Sequence, residues 1–303
     1  MHASLHALTA ELKRLKASGV KSLPVSEESL MKLRAAVAGR AATGVVAPAA
    51  VVAAPVEKLA PVPQVPVRAF AAKPVVVETP AVPTPVPFTL PEGDKAARWS
   101  ALRARVLNDP VCRARVRPGK QVVFGVGSLE AKIMFVGEAP GGEEEVQGEP
   151  FVGPAGQLLN KMIAAMGLKR ADVYIGNIMN WRPEMPVDAS GVQYGNRPPS
   201  PQELAYCLPY LKAQIEVVNP ELLVALGSTA AQGLLGVGTF KALGEIRGRW
   251  KEFAGKPLMV TYHPSYILRN QSNQSKRLIW EDLLKVMERA ALPISEKQRG
   301  FFT

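Results

Sequence analysis

Apolar positions fall into two textures along the chain. From residue 94 onward, short runs in which nearly every side chain is apolar alternate with longer stretches of amphipathic character. The runs at residues 132–136, 173–178, 222–226 and 258–262 predict β-strands buried on both faces. The stretches at residues 155–166, 201–218, 228–235 and 276–290 predict helices. Strand and helix repeated in this way call for an α/β fold: a central four-stranded parallel sheet with helices on both faces. Ligands of such sheets bind where loops leave the carboxyl ends of the strands, so functional residues are expected there.

The first 92 residues read differently. Leu5, Leu8, Leu12 and Leu15 recur at helical spacing up to Gly19, and a second short amphipathic stretch runs from Ser26 to Gly39. Residues 1–40 are therefore a short amphipathic helical segment, expected to fold only against the main domain or a protein partner. Residues 41–91 carry eleven prolines among Ala and Val. Such a mix cannot pack a core and favours extended, polyproline-like chain, so residues 41–92 are expected to be a disordered linker. One folded domain remains, residues 93–303.

Charge adds a partner class. The formal net charge is +11, with ten Lys/Arg against six Asp/Glu up to Glu92 and 27 against 20 beyond it. Both parts suit a polyanion such as DNA. The chain shows no secretory h-region and no apolar run of about 18 residues, so a soluble, cytoplasmic, nucleoid-associated monomer without membrane contact is expected. Two cysteines, Cys112 and Cys207, cannot supply a four-cysteine metal or iron–sulfur site.

Three strand ends carry the candidate chemistry. The first predicted strand runs into Gly137-Glu138-Ala139-Pro140-Gly141, and Pro150-Phe151-Val152-Gly153-Pro154 then opens a helix. A glycine-rich turn after a strand can cradle phosphate, but Glu138, Glu143, Glu144 and Glu145 would repel one. Glu138 is placed to face a substrate, and Phe151 offers a flat apolar face. Taken alone, Phe151 reads as a core residue and the glutamates as a solvated loop. Asn177 ends the second strand, where a side-chain amide can read a base edge or form a turn. His263 follows the fourth strand and is the only histidine beyond His6.

Together these segments resemble the uracil-DNA glycosylase superfamily, most closely its family 4 branch, from roughly residue 122 to residue 290. Besides the three strand ends, the resemblance rests on Arg182-Pro183 with Asn196-Arg197, on Ala225-Leu226-Gly227 and on Arg247-Gly248-Arg249-Trp250. It implies a monofunctional enzyme that hydrolyses the N-glycosidic bond of deoxyuridine in DNA. By that resemblance Glu138 activates or orients water and favours a cationic sugar, Phe151 stacks on the extruded base, and Asn177 bonds its edge. His263 binds the uracil O2, backbone around Ala139 completes the pocket, and Glu144 obstructs the methyl group of thymine. Ser265 and Arg269 are the expected backbone contacts, with Ile267 as the wedge into the base stack and Leu268 second to it.

The chain departs from the family pattern in two places. Family 4 enzymes hold an iron–sulfur cluster on four cysteines; Cys207 matches the last, Trp181 stands where its partner would be, and Cys112 does not line up with the first pair. No cluster or other cofactor is therefore expected. An insertion, residues 184–195, contains no histidine that could trap DNA covalently, so ordinary turnover is expected. A non-catalytic module binding uracil or damaged DNA is the alternative, disfavoured because a pure binder has no need of Glu138. A nucleotide-metabolising enzyme is disfavoured by the acidic first loop.

Overall fold

The computed structural model describes residues 82–188 and 191–303. The predicted helical segment and nearly all of the predicted linker lie outside the described residues.

The elements run α1 (Lys95–Leu107), α2 (Pro110–Ala114), β1 (Val126–Gly127), β2 (Ile133–Gly137), α3 (Glu144–Gln147), α4 (Pro154–Ala165), β3 (Tyr174–Asn177), α5 (Pro201–Val218), β4 (Leu222–Leu226), α6 (Ser228–Leu235), β5 (Trp250–Phe253), β6 (Lys256–Thr261), α7 (Pro264–Arg269), α8 (Asn273–Arg289) and α9 (Glu296–Arg299). Caps fix several helix starts. Asp94 accepts from the Ala97 amide at 2.8 Å. Ser200 and Glu203 form a reciprocal capping box around Pro201 at the first turn of α5.

The sheet order is β1-β3-β2-β4-β6-β5. The four predicted strands form its centre and pair in parallel. The expectation of a four-stranded parallel sheet is corrected at both edges, where β1 and β5 pair antiparallel and make a six-stranded mixed sheet. Neither edge strand has an apolar run to betray it: β1 is two residues long, and β5 keeps Lys251 and Glu252 exposed.

Successive residues of β2 point to opposite faces, as pleating requires. Ile133 and Phe135 join one apolar cluster with α4 and α8, while Met134 and Val136 join the other with α1, α5 and α6. Every residue of β2, β3 and β4 is buried. From β2 the chain passes to β3 on one side and later to β4 on the other, so the crevice at the carboxyl ends of these strands is a topological switch point.

Candidate active site

That crevice holds a cavity of about 690 Å³. It brings together Glu138, Ala139, Glu144, Phe151, Asn177, His263, Ser265, Leu268 and Arg269, nine of the ten residues singled out in the sequence. The tenth, Ile267, lies elsewhere.

Glu138 leaves β2 into the cavity. Burial pushes its carboxyl above the ordinary glutamate range, and a hydrogen bond with the Thr229 hydroxyl at the start of α6 pulls the other way. Thr229 carried no signal beyond its place after Ala225-Leu226-Gly227. Beside Glu138, Gly137 is dictated by crowding. A β-carbon there would stand 2.3 Å from Asn177 Oδ1 and 2.5 Å from the Phe151 ring.

Asn177, the last residue of β3, is 6% exposed, and its Oδ1 has no hydrogen-bond partner. An unmet buried acceptor costs about 1–3 kcal/mol. Such a group in a cavity wall is a standing demand for a donor on whatever enters. Phe151 holds a left-handed backbone, φ 54°, which is costly for a bulky residue, on the order of 1–3 kcal/mol. Its ring lies 5.5 Å from that of His263, centroid to centroid.

His263 caps α7 with its own side chain: the Ser265 amide donates to Nδ1 at 3.2 Å, and the Ser265 hydroxyl lies 2.8 Å from the same atom. Because Nδ1 accepts, the neutral ring carries its proton on Nε2. Burial pulls the pKa down to about 4, helped by the positive charge of Arg269 and opposed by Glu144. Beneath this turn Thr261 donates to Asp282 at 2.7 Å, and Arg247 pairs with the same carboxylate at 2.7 Å. The Arg247 segment thus braces the strand that delivers His263.

Glu144 is committed to backbone. Its Oε2 accepts from Gly141 N at 3.1 Å, and its Oε1 from Val152 N and Gly153 N at 3.1 and 2.9 Å. It draws the loop after β2 onto the entry of α4. Glu145 is buried between Arg117 and Arg182, each 2.8 Å from Oε1. Arg182 also donates to Asn196 Oδ1 at 2.8 Å and Gly195 O at 2.8 Å, tying the acidic loop to the end of the insertion. The insertion is anchored by Gln193, whose Nε2 donates to Pro183 O at 3.0 Å.

The two aliphatics read as wedge candidates differ in exposure. Ile267 is 7% exposed and packed in the core, whereas its neighbour Leu268 is 41% exposed on the cavity rim. Ser265 is occupied by His263 and, at 3.3 Å, by Arg269.

The two cysteines, far apart in sequence, lie together in the fold. Cys112 on α2 and Cys207 on α5 are both fully buried and hydrogen-bonded to each other, which with burial holds the Cys112 thiol far above the ordinary range. Cys112 thus adjoins Cys207 through packing that spacing alone does not reveal. Trp181 is buried in the same core cluster, its ring 6.1 Å from that of Tyr206. Tyr206 and Tyr210 donate to Asp109 at 2.9 and 2.7 Å. Among the described residues no group of three or more His, Cys, Asp or Glu is placed to hold a metal. Two thiols, an indole and a tyrosine–aspartate network do not fit a four-thiolate cluster.

The family model of the uracil DNA glycosylase superfamily matches residues 124–284, from just before β1 into α8. The chain belongs to the uracil-DNA glycosylase superfamily. Within it the likeness is to the type-4 branch. The Type-4 uracil-DNA glycosylase of Thermotoga maritima is 43% identical over 165 residues, which cover 54% of this chain and 80% of that protein. That of Archaeoglobus fulgidus is 41% identical over 152 residues, 48% of this chain and 71% of the relative. A Type-5 uracil-DNA glycosylase of Pyrobaculum aerophilum is 31% identical over 177 residues, covering 54% and 73% respectively. The superfamily match spans all four parallel strands, so each strand end of the cavity lies inside it.

Proposed function

We propose that this protein is a monofunctional uracil-DNA glycosylase that hydrolyses the N-glycosidic bond of deoxyuridine in DNA, releasing uracil and leaving an abasic site. The observation that carries this reading is Asn177, a buried amide in the cavity wall with an unpartnered acceptor. The imide edge of uracil offers a donor at N3 beside an acceptor at O4, which complements a side-chain amide.

The base is extruded into the cavity, and stacking on Phe151 offsets part of the few kcal/mol of unstacking. As the glycosidic bond lengthens, the sugar gains oxocarbenium character and the base becomes an anion. His263 donates from Nε2 to the uracil O2, where that negative charge grows. Glu138 favours the cationic sugar and accepts a proton from the water that attacks its anomeric carbon. At the cavity rim Leu268 is the side chain free to enter the base stack, with Arg269 toward the backbone phosphates. No lysine in the motifs is placed for a Schiff base, and turnover leaves no stable protein–DNA adduct.

The test is incubation of a labelled oligonucleotide containing one uracil, followed by alkali. Wild type is expected to give a strand break at the uracil and none in a thymine control, and Asn177→Ala to lose on the order of 10²-fold in rate while still binding DNA. Binding without cleavage by wild type would instead make the chain a recognition module.

The reaction as proposed runs without an iron–sulfur cluster. Anaerobically purified protein is expected to be colourless, with no iron or acid-labile sulfide and with full activity. A brown preparation containing both would refute this.

A further inference from the structure

Outside the residues that face the cavity, the half-buried Arg170 has no part in the proposed chemistry. Arg170, in the short turn that precedes β3, donates from Nη2 to Pro150 O at 2.6 Å and from Nη1 to Phe151 O at 3.1 Å. Its Nη1 also reaches Asn160 Oδ1 on α4 at 3.0 Å. A half-buried guanidinium that spends its donors on two consecutive main-chain carbonyls fixes that stretch of backbone.

What it holds is unusual. Among the described residues that line the cavity, Phe151 alone combines a side chain with a positive φ, and Gly156 leaves room for its carbonyl: a β-carbon on Gly156 would stand 1.9 Å from Phe151 O. On the other flank, the Glu144 carboxylate grips the amides of Val152 and Gly153. The backbone on either side of Phe151 is thus fixed by opposite charges, carbonyls by Arg170 and amides by Glu144.

We infer that Arg170 is a positioning residue for catalysis: with Glu144 it clamps the backbone around Phe151 in its left-handed conformation, so that the ring forms a rigid stacking platform for the extruded base. This rests on the uracil-stacking role proposed for Phe151. The clamp sets the base plane against Asn177 and His263, and a platform loosened by about 1 Å costs up to about 10²-fold in rate. It also gives Glu144 a second duty: with both oxygens held by main-chain amides, it organises the pocket wall as well as bordering the base.

A double-mutant cycle tests the clamp, with single-turnover uracil release and competitive inhibition by free uracil as readouts. Arg170→Ala is expected to lower the rate on the order of 10- to 100-fold and to weaken uracil inhibition, with the affinity for uracil-free DNA unchanged and Arg170→Lys recovering part of both. If Arg170 acts through Phe151, the double variant Arg170→Ala with Phe151→Ala is no slower than Phe151→Ala alone. Losses that multiply independently, or an Arg170→Ala enzyme with wild-type rate and uracil affinity, overturn the clamp. Should Arg170→Ala melt too low to assay, Asn160→Ala, which removes only the side-chain anchor of the guanidinium, is expected to weaken uracil inhibition in the same direction; unchanged inhibition counts against the clamp. A wild type that releases no uracil sinks the glycosylase reading itself, a result distinct from an active wild type with an indifferent Arg170.

Discussion

Glu138→Gln slows single-turnover uracil release by roughly 10²- to 10⁴-fold, the usual span for losing a positioned acid–base group, and leaves DNA binding intact. The variant keeps the shape of the side chain and removes only its charge and basicity. Glu138 sits where β2 ends, desolvated enough that its carboxyl is raised above the ordinary glutamate range. The reaction uses the ionised form, so the wild-type rate falls as pH drops through this raised pKa, at higher pH than a solvated glutamate would dictate. Thr229→Val deletes the hydrogen bond that opposes the shift and moves this acid limb upward again. Stability runs the other way. A carboxyl whose folded pKa lies above its unfolded value contributes stability below the unfolded pKa, and loses it as pH rises through the folded pKa. Glu138→Gln is neutral throughout, so it melts at higher temperature than wild type at neutral pH, with the gap closing toward acid. Calorimetry at two pH values beside the rate assay checks both halves. A variant that is active, or one that is inactive and less stable at neutral pH, would count against a buried catalytic carboxylate.

The same balance explains what could be read in the sequence. The inner strands were legible because each residue of β2, β3 and β4 is buried, which leaves a continuous apolar run. β5 was not, since it is a half-exposed edge strand joined to β6 by a two-residue turn, Ala254-Gly255, with positive φ at both positions. At the candidate site, Glu138, Asn177 and His263 come together in one cavity because a parallel sheet presents its strand ends on one side. Ile267 and Leu268 are adjacent on a helical turn, about 100° apart in direction, and only the packing of α7 decides which faces the core. Arg170 left no local trace. Its main-chain acceptors lie 19 and 20 residues back, a proximity that folding alone creates. The pairing of Cys112 with Cys207 is a contact of the same kind, made when α2 packs against α5.

Glu144 shows how motif and mechanism part company. The resemblance places it near C5 of the base; the geometry gives it three amide donors and a share in shaping the loop after β2. The three neighbouring glutamates meet three different environments. Glu143 is exposed, Glu144 binds main chain, and Glu145 is neutralised between two arginines. Two members of the acidic run that argues against a phosphate cradle, Glu144 and Glu145, are therefore scaffold, while Glu138 and the exposed Glu143 line the cavity without such ties.

His263→Ala is expected to cost on the order of 10²- to 10³-fold in rate, the usual loss for one donor aimed at a developing anion. Its tautomer makes the case. The Ser265 amide donates to Nδ1, so the proton stays on Nε2 and the ring donates without carrying charge. With a folded pKa of about 4 the imidazole remains neutral across the physiological range, and its protonation leaves the pH–rate profile untouched until strongly acid conditions. The folded pKa lies below the ordinary value of 6.5, so this group contributes stability that is fully present above 6.5 and is lost as pH falls through about 4. His263→Ala removes that loss. The variant also forfeits the cap on α7, so it melts lower than wild type near neutrality, but its melting temperature declines less steeply between about pH 6.5 and 4. An equal decline in both proteins would mean that His263 takes up its proton at the ordinary pKa in the folded state, and the ring would then become a cationic donor below about pH 6.5 instead of staying neutral.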